Sequence, residues 1–307
     1  MELLPKPVLS RVVDVYLRIC ARRSGLKLRK CGPFYEISNH ADHSIRVARH
    51  HQFYVLDVLS SFDYYFDAVN PDLLDGRLTV DYSSPRYQEV RGFELFPVKT
   101  PSFTEPVVTA NQYLDFARLV EGHVVLDLGA YSGLTSILFL QRVGKGGRVV
   151  AVDADEQNIS CLRKNFELCM RLTGNAPVLL EGAAWSDCGG LEFSSEGNMG
   201  SSASSLVGSK RGKLVNVPSF TLSAIVEKFA LERVDFVKCD IEGAELEVFK
   251  DTEFFARFKP RMIVEPHAVG GVLTTESFVP QLSKYGYRCK TVTQDGVTLP
   301  LVECEPG

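Results

Sequence analysis

No apolar stretch in these 307 residues approaches the length of about 20 needed to cross a bilayer, so no membrane-spanning helix is expected. The eight cysteines are scattered without a C-x-x-C pair, which points away from a zinc site and from a disulfide framework. They read as reduced thiols, and a cytoplasmic location is the expectation. Basic residues are not in excess: 34 Lys and Arg face 38 Asp and Glu, a formal net charge of -4. That balance supplies no field for a phosphate backbone, so a nucleic-acid partner is not expected. An Asn/Asp-Pro-Pro-Tyr/Phe motif for amino-group methylation is also missing, and no internal repeat is visible. A secretory leader would place its charges before its apolar region; residues 1–30 have the reverse order, with Arg22, Arg23, Lys27, Arg29 and Lys30 at the end. That segment reads as a surface helix packing on its own domain, with peripheral membrane or partner contact as the alternative.

What is present concentrates at residues 124–133, Val-Val-Leu-Asp-Leu-Gly-Ala-Tyr-Ser-Gly. An apolar run fits a buried strand, a turn carries Gly129 and Gly133, and Leu134, Ile137, Leu138 and Val143 begin a helical stripe. Strand, glycine turn and helix together form the architecture of a nucleotide-type cofactor site. A dinucleotide fingerprint needs a second glycine where Tyr131 stands, and an aromatic ring there leaves little space for pyrophosphate. Asp-x-Gly-x-x-x-Gly instead fits S-adenosylmethionine (SAM) methyltransferases, whose cofactor has no phosphate. An ordinary strand-helix turn remains the alternative.

From about Val124 the chain alternates strand and helix signals. Strands are expected at 124–126, 148–153, 177–180, 234–241 and 261–266. Helices are expected at 155–172, capped by Asp155 or Asp153, at 222–231, from 243 to 249, and near 277–285. Two final β segments, around 288–292 and 297–302, with Gln294-Asp295-Gly296 between them, suggest an antiparallel hairpin. Such alternation implies an α/β fold with a doubly wound, mostly parallel sheet. Residues 186–218 break the rhythm, and the Gly/Ser-rich stretch 197–212 reads as a mobile loop or lid. Residues 1–105, rich in Tyr and Phe, are expected to form an accessory region, and 106–307 the main domain. His40, His43, His50 and His51 lack a metal-ligand spacing and read as a surface helix or loop.

Open α/β sheets bind ligands at the carboxyl ends of their strands, and acidic groups cluster at those ends here. Asp127 ends the first strand. Asp153 ends the second, where it can accept hydrogen bonds from ribose hydroxyls or merely cap a helix. Asp240-Ile241-Glu242-Gly243-Ala244-Glu245 ends a central strand; loading of a helix start explains Glu245 well and Asp240 poorly. Glu265 and His267 end the fifth strand two residues apart and should share a face. His267, Glu265 or Glu242 could act as general base on a hydroxyl. The same groups with Asp240 could alternatively hold a divalent metal, although none is expected.

These residues resemble the FkbM-type SAM-dependent methyltransferases. The resemblance rests on 127–133, Val-Ala-Val-Asp-Ala-Asp-Glu-Gln-Asn at 150–158, Ala-Ala-Trp-Ser-Asp at 183–187, the Gly-Ser-Ser-Ala-Ser-Ser-Leu stretch at 200–206 and Thr-Leu at 221–222. Its most specific part is Asp-Phe-Val-Lys-Cys-Asp-Ile-Glu-Gly-Ala-Glu at 235–245, and together these cover roughly residues 105–270. It implies a Rossmann-like class I methyltransferase fold, SAM as donor, and O-methylation of a hydroxyl on a small molecule or glycan. It places Asp127, Gly129 and Gly133 around the cofactor, Asp153 on its ribose, and Gly182 and Ala183 near its adenine; Tyr131 and Asp240 are further candidates for cofactor contact. Two departures stand out: Asp153-Ala154 replaces the usual Glu-Pro, and Tyr131 replaces the usual asparagine. A non-catalytic scaffold of the same fold and an NAD-dependent oxidoreductase are the competing readings.

Overall fold

Five short apolar segments become parallel strands; four are buried on both faces, the pattern expected of a sheet covered by helices, and the edge strand Val178–Glu181 is only partly buried. These are β1 (Val124–Leu128), β2 (Arg148–Asp153), β3 (Val178–Glu181), β4 (Phe236–Cys239) and β5 (Arg261–Val264). With β6 (Tyr287–Val292) and β7 (Leu301–Pro306) they form one sheet ordered β3-β2-β1-β4-β5-β7-β6. All pairings are parallel except those of β7, which runs antiparallel to both β5 and β6. The strand order reverses between β1 and β4, which is where such sheets open a ligand crevice. The chain is described as a computed structural model over residues 6–198, 200–206, 212–294 and 299–307. It divides into two units: residues up to Pro97 with Ser102–Val107, and Val98–Pro101 with Val108 onward.

In the second unit, helix Glu156–Thr173 starts where Asp155 accepts from the backbone N–H of Gln157 (2.8 Å) and Asn158 (3.2 Å). It ends at Gly174, which takes the left-handed conformation (φ 74°) that a glycine cap permits. The core on one side of the sheet joins Leu126, Val150, Val237 and Met262 to Phe249, Phe254, Phe255 and Phe278. The expected hairpin is present, but its second strand runs over 301–306 rather than 297–302. Its register with β6 sets this, pairing Val292 with Leu301. The Asp295-Gly296 turn lies outside the described residues.

The Gly/Ser-rich insertion is only partly loop-like. Leu191–Ser195 forms the middle strand of a small antiparallel sheet between Ser202–Ala203 and Lys213–Val217. Ser194, Asn198 and Ser202 are buried, so 194–198 and 200–203 are packed structure; residues 199 and 207–211 lie outside the described residues.

The first unit carries a helix at Lys6–Arg23 and a five-stranded sheet ordered Lys27–Cys31, Phe34–Ser38, His43–Ala48, Arg77–Tyr82, Asp72–Leu74. Leu17 and Ala21 of the helix are buried, whereas Val12, Val15, Tyr16 and Ile19 are exposed. Phe62, Tyr65, Phe66, Tyr82 and Phe103 are buried, so the aromatic enrichment supplies this unit's own core. The histidine group is only partly at the surface: His40, in a turn, and His50, in the short helix Arg49–His51, are exposed, but the other two are not. His43 opens a strand and stacks on Phe66, and His51 is buried beside Tyr54 and Phe103. The strand's alternation, with Ile45 and Val47 buried, outweighs the local charge of Arg46 and Arg49.

Candidate functional site

In the paired register of β1 and β4, Asp127 lies opposite Lys238. Residues two apart on a strand share a face, so Asp127, Lys238 and Asp240 line one face at the strand tips. Lys238, in a wholly buried strand, sends its ammonium to the Gly129 carbonyl (2.7 Å) and the Leu128 carbonyl (3.4 Å). It also stands 3.3 Å from Asp240 Oδ2 and 3.6 Å from Asp127 Oδ1. Burial alone would lower the Lys238 pKa, but Asp240 and Asp127 together raise it. Asp127 goes the other way for a carboxylate. Burial raises its pKa despite Lys238 and the hydroxyl that Ser136 donates to Oδ2. Its Oδ1 has no hydrogen bond, so the carboxylate is sealed more completely than its partner compensates.

The turn after β1 is tight. A Cβ on Gly129 would run into the backbone carbonyl of Asp240, and one on Gly133 would meet Phe166 and Leu162. Tyr131 is left-handed (φ 54°), a conformation that favours glycine or asparagine, and its N–H donates to Asp153 Oδ2 (2.8 Å). Asp153 Oδ1 accepts from the Asp155 N–H (2.9 Å), and Asn158 Nδ2 stands 3.3 and 3.4 Å from the two oxygens. Burial pushes the Asp153 carboxyl up to about 7 against those backbone donors. A carboxylate has about four lone-pair sites, and these three donors leave room for at most one further hydroxyl unless Asn158 gives way. Beyond Asp153, β3 is followed by Gly182, whose N–H donates to the Asp153 carbonyl (2.8 Å), and then by Ala183. Asp155, fully buried, goes beyond capping: Oδ2 also accepts from Ser195 Oγ (2.7 Å), Ser201 Oγ (2.8 Å) and the Gly197 N–H (3.1 Å). It therefore pins the insertion to the sheet.

The acidic turn after β4 folds around His267. Glu242 is left-handed (φ 53°) and Gly243 follows at φ 98°. The helix it opens, Glu245–Val248, is a single turn. Glu245 is fully buried; its Oε1 accepts from the N–H groups of Ile241 and Gly243 (both 3.3 Å) and lies 3.1 Å from His267 Nδ1. His267 Nε2 lies 3.6 Å from both Asp240 Oδ1 and Glu242 Oε1. Burial alone would lower the His267 pKa, but Glu242, Glu245 and Asp240 raise it well above its ordinary value. Burial pushes Glu242 up to about 8, with His267 acting in the opposite direction. Glu265 takes a different set of partners, accepting from Gln294 Nε2 (3.1 Å) and from the Tyr113 hydroxyl (3.5 Å).

The structure thus gathers Asp127, Gly129, Asp240, Glu242 and His267 around the β1–β4 tips, and ties Tyr131 to Asp153 at the β2 tip. Sequence reasoning passed over Lys238, although a lysine inside Phe-Val-Lys-Cys, two positions before an aspartate, signals a buried charge seeking carboxylates. It also read Asp155 only as a cap and Glu245 only as a helix-start acid.

A sheet in this order, with one antiparallel strand and an acid-glycine turn after β1, defines a class I SAM-dependent methyltransferase. The chain belongs to the FkbM methyltransferase family: residues 127–289 match the Methyltransferase FkbM domain. That membership removes the dehydrogenase alternative. The chain is distantly similar to the FkbM methyltransferase from Methylobacillus flagellatus KT (16% identity, 63% of this chain and 50% of that one, TM-score 0.41). It is comparably similar to precorrin-6y C5,15-methyltransferase from Geobacter metallireducens GS-15 (15% identity, 64% and 84% coverage, TM-score 0.40). A third is Aeropyrum pernix fibrillarin in complex with natively bound S-adenosyl-L-methionine (15% identity, 91% and 97% coverage, TM-score 0.40). Among proteins of curated function, none matches the chain by sequence.

Proposed function

We propose that this methyltransferase acts on a hydroxyl oxygen of an uncharged small molecule or glycan, with the donor across the β1–β2 tips and the acceptor at the acidic turn. The observation that carries the reading is the chemistry of that turn. Asp240, Glu242 and Glu245 converge on His267, and Glu265 adds its charge at Glu242. Carboxylates accept from hydroxyls, as a polyol requires, and repel a phosphate-bearing acceptor.

SAM supplies a methyl already activated by its sulfonium. The protein's task is to align the acceptor oxygen with that carbon and exclude water. Asp153 would accept from a ribose hydroxyl of the bound donor while the turn stays closed through the Tyr131 N–H. Gly129 and Gly133 keep the turn close to the sheet, with Asp127 and Asp240 beside it and Gly182 and Ala183 near the adenine. The oxygen–carbon bond would form as the sulfur–carbon bond breaks, and the hydroxyl proton would pass to Glu242 or Glu265, beside the His267 imidazole whose charged form Glu242, Glu245 and Asp240 favour.

Methyl-labelled SAM incubated with fractionated metabolites, free sugars and RNA tests the reading. Label in an ether on a hydroxylated acceptor is expected, identified by NMR of the transferred methyl carbon. Label in RNA, or on nitrogen or carbon, would overturn the acceptor assignment.

A further inference from the structure

His267 is hydrogen-bonded at one ring nitrogen only, and the other faces two carboxylates with no hydrogen bond to either. Its Nδ1 is 3.1 Å from Glu245 Oε1, a hydrogen bond that leaves the Nε2 lone pair directed elsewhere when Nδ1 is the donor. Nε2 then lies 3.6 Å from one oxygen of Asp240 and one of Glu242, beyond hydrogen-bond reach of either. The three candidate ligand atoms lie within 4.8 Å of one another. Two donors each about 2.1 Å from a shared ion and 3.6 Å apart subtend roughly 120° at it, between tetrahedral and trigonal.

A second observation points the same way. Glu245 is fully buried, and its other oxygen, Oε2, has no hydrogen-bond partner. A buried carboxylate oxygen left without a donor is costly unless positive charge stands nearby. Lys238, the ammonium at this turn, is already shared between Asp127, Asp240 and two carbonyls. Carboxylate, imidazole and cation in line is also how metal-bound histidines are held, with the outer carboxylate fixing the ring.

We propose that Asp240, Glu242 and His267 bind a divalent first-row cation, that Glu245 orients the imidazole, and that the cation holds the acceptor hydroxyl. The inference rests on the acidic turn being the acceptor end of the site. Two carboxylates suit magnesium and manganese, an imidazole suits iron and zinc, and the mixed set meets at Mn2+, Fe2+ or Zn2+. Calcium, which takes six to eight oxygens, fits poorly. Three protein ligands leave open positions, as a catalytic site requires. A bound cation acidifies a coordinated hydroxyl and neutralises the alkoxide as the oxygen–methyl bond forms. With Glu242 and His267 committed as ligands, the proton passes to Glu265.

Manganese is the probe. The chelator-stripped full chain is titrated with Mn2+, and loss of the free-ion EPR signal counts bound ions with no SAM present. One ion per chain is expected. H267Q and D240N should weaken binding by about 100-fold or more, and E245Q by about 10–100-fold. S-adenosylhomocysteine binding, measured separately by calorimetry, reports on the donor half, so failure of the cation and failure of the methyltransferase reading are distinguishable. Should a variant not fold, anomalous scattering from Mn2+-soaked wild-type crystals still decides: an ion between Asp240, Glu242 and His267 supports the proposal. A wild-type chain that leaves the Mn2+ signal at free intensity overturns it. So does an ion placed elsewhere, or unchanged affinity in H267Q.

Discussion

Replacing Asp155 by alanine and by asparagine separates two jobs that one buried carboxylate performs. Alanine removes the cap on helix Glu156–Thr173, worth about 1 kcal/mol. It also leaves the Gly197 N–H and the Ser195 and Ser201 hydroxyls without their shared acceptor. Hydrogen bonds to a charged group contribute about 1.5–3 kcal/mol each, and they are not additive. The two serines can rotate to other partners, and removing a buried charge recovers some of its desolvation cost. The net expectation for Asp155→Ala is about 3–5 kcal/mol of destabilisation. Asparagine keeps an oxygen for the cap, and both hydroxyls can turn to accept from its amide. Only the Gly197 N–H then faces a donor, for a loss of about 1–3 kcal/mol. Trp185, the single tryptophan, lies in the second unit and reports its unfolding in urea. Hydrogen exchange at the Gly197 amide should accelerate in both variants. A loss below about 1 kcal/mol for alanine, or equal losses for the two variants, would refute the view that Asp155 anchors the insertion.

Asp153 gives a pH signature. Its folded-state value of about 7 lies above the ordinary 3.8, so its neutral form contributes stability that is fully present below 3.8 and lost as pH rises through about 7. Urea midpoints of the cofactor-free chain should fall across that window relative to Asp153→Asn, while SAM affinity, which on the proposed reading uses the carboxylate as acceptor, should rise; parallel pH profiles for the two chains would count against it. Lys238→Met leaves Asp127 buried without its ammonium, and about 3–5 kcal/mol of stability should be lost, read as a lower urea midpoint. An unchanged midpoint would mean that the ion pair is not what holds the strand tips. Gly129→Ala places a methyl into the Asp240 carbonyl at φ 76°, so thermal-shift assays should show no response to S-adenosylhomocysteine. A normal response would show the turn to be roomier than the backbone allows.

The parallel strands were legible because each is short, apolar and bounded by glycine, proline or an acid, as at Val124–Leu128 and Arg148–Asp153. Their order needed the resemblance, since periodicity does not say which strand neighbours which. The first unit was hard to read for a physical reason. Its sheet mixes a parallel pair, His43–Ala48 with Arg77–Tyr82, into antiparallel neighbours, and the connection between them holds two short helices. Such long-range pairing leaves no local signal. At the site, Asp127 and Asp153 announced themselves by position. Glu245 did not, because its role depends on a histidine 22 residues away that only the fold brings to it.

Lys238 shows why the two halves of the site act together. One ammonium holds the Gly129 carbonyl on the side proposed for the donor and Asp240 on the side proposed for the acceptor, which ties the two turns together. Glu242, held left-handed two residues beyond Asp240, takes up the sharp reversal that returns the chain toward His267. A backbone in that conformation costs about 1–3 kcal/mol and persists only where its surroundings over-determine it. Here the Glu245 carboxylate supplies that determination, accepting from the amides on either side of Glu242 and from the imidazole at once. The strain and the buried charge are therefore one device: packing energy from the sheet is spent to hold carboxylates and an imidazole apart at the distance where a reacting oxygen or an ion can enter.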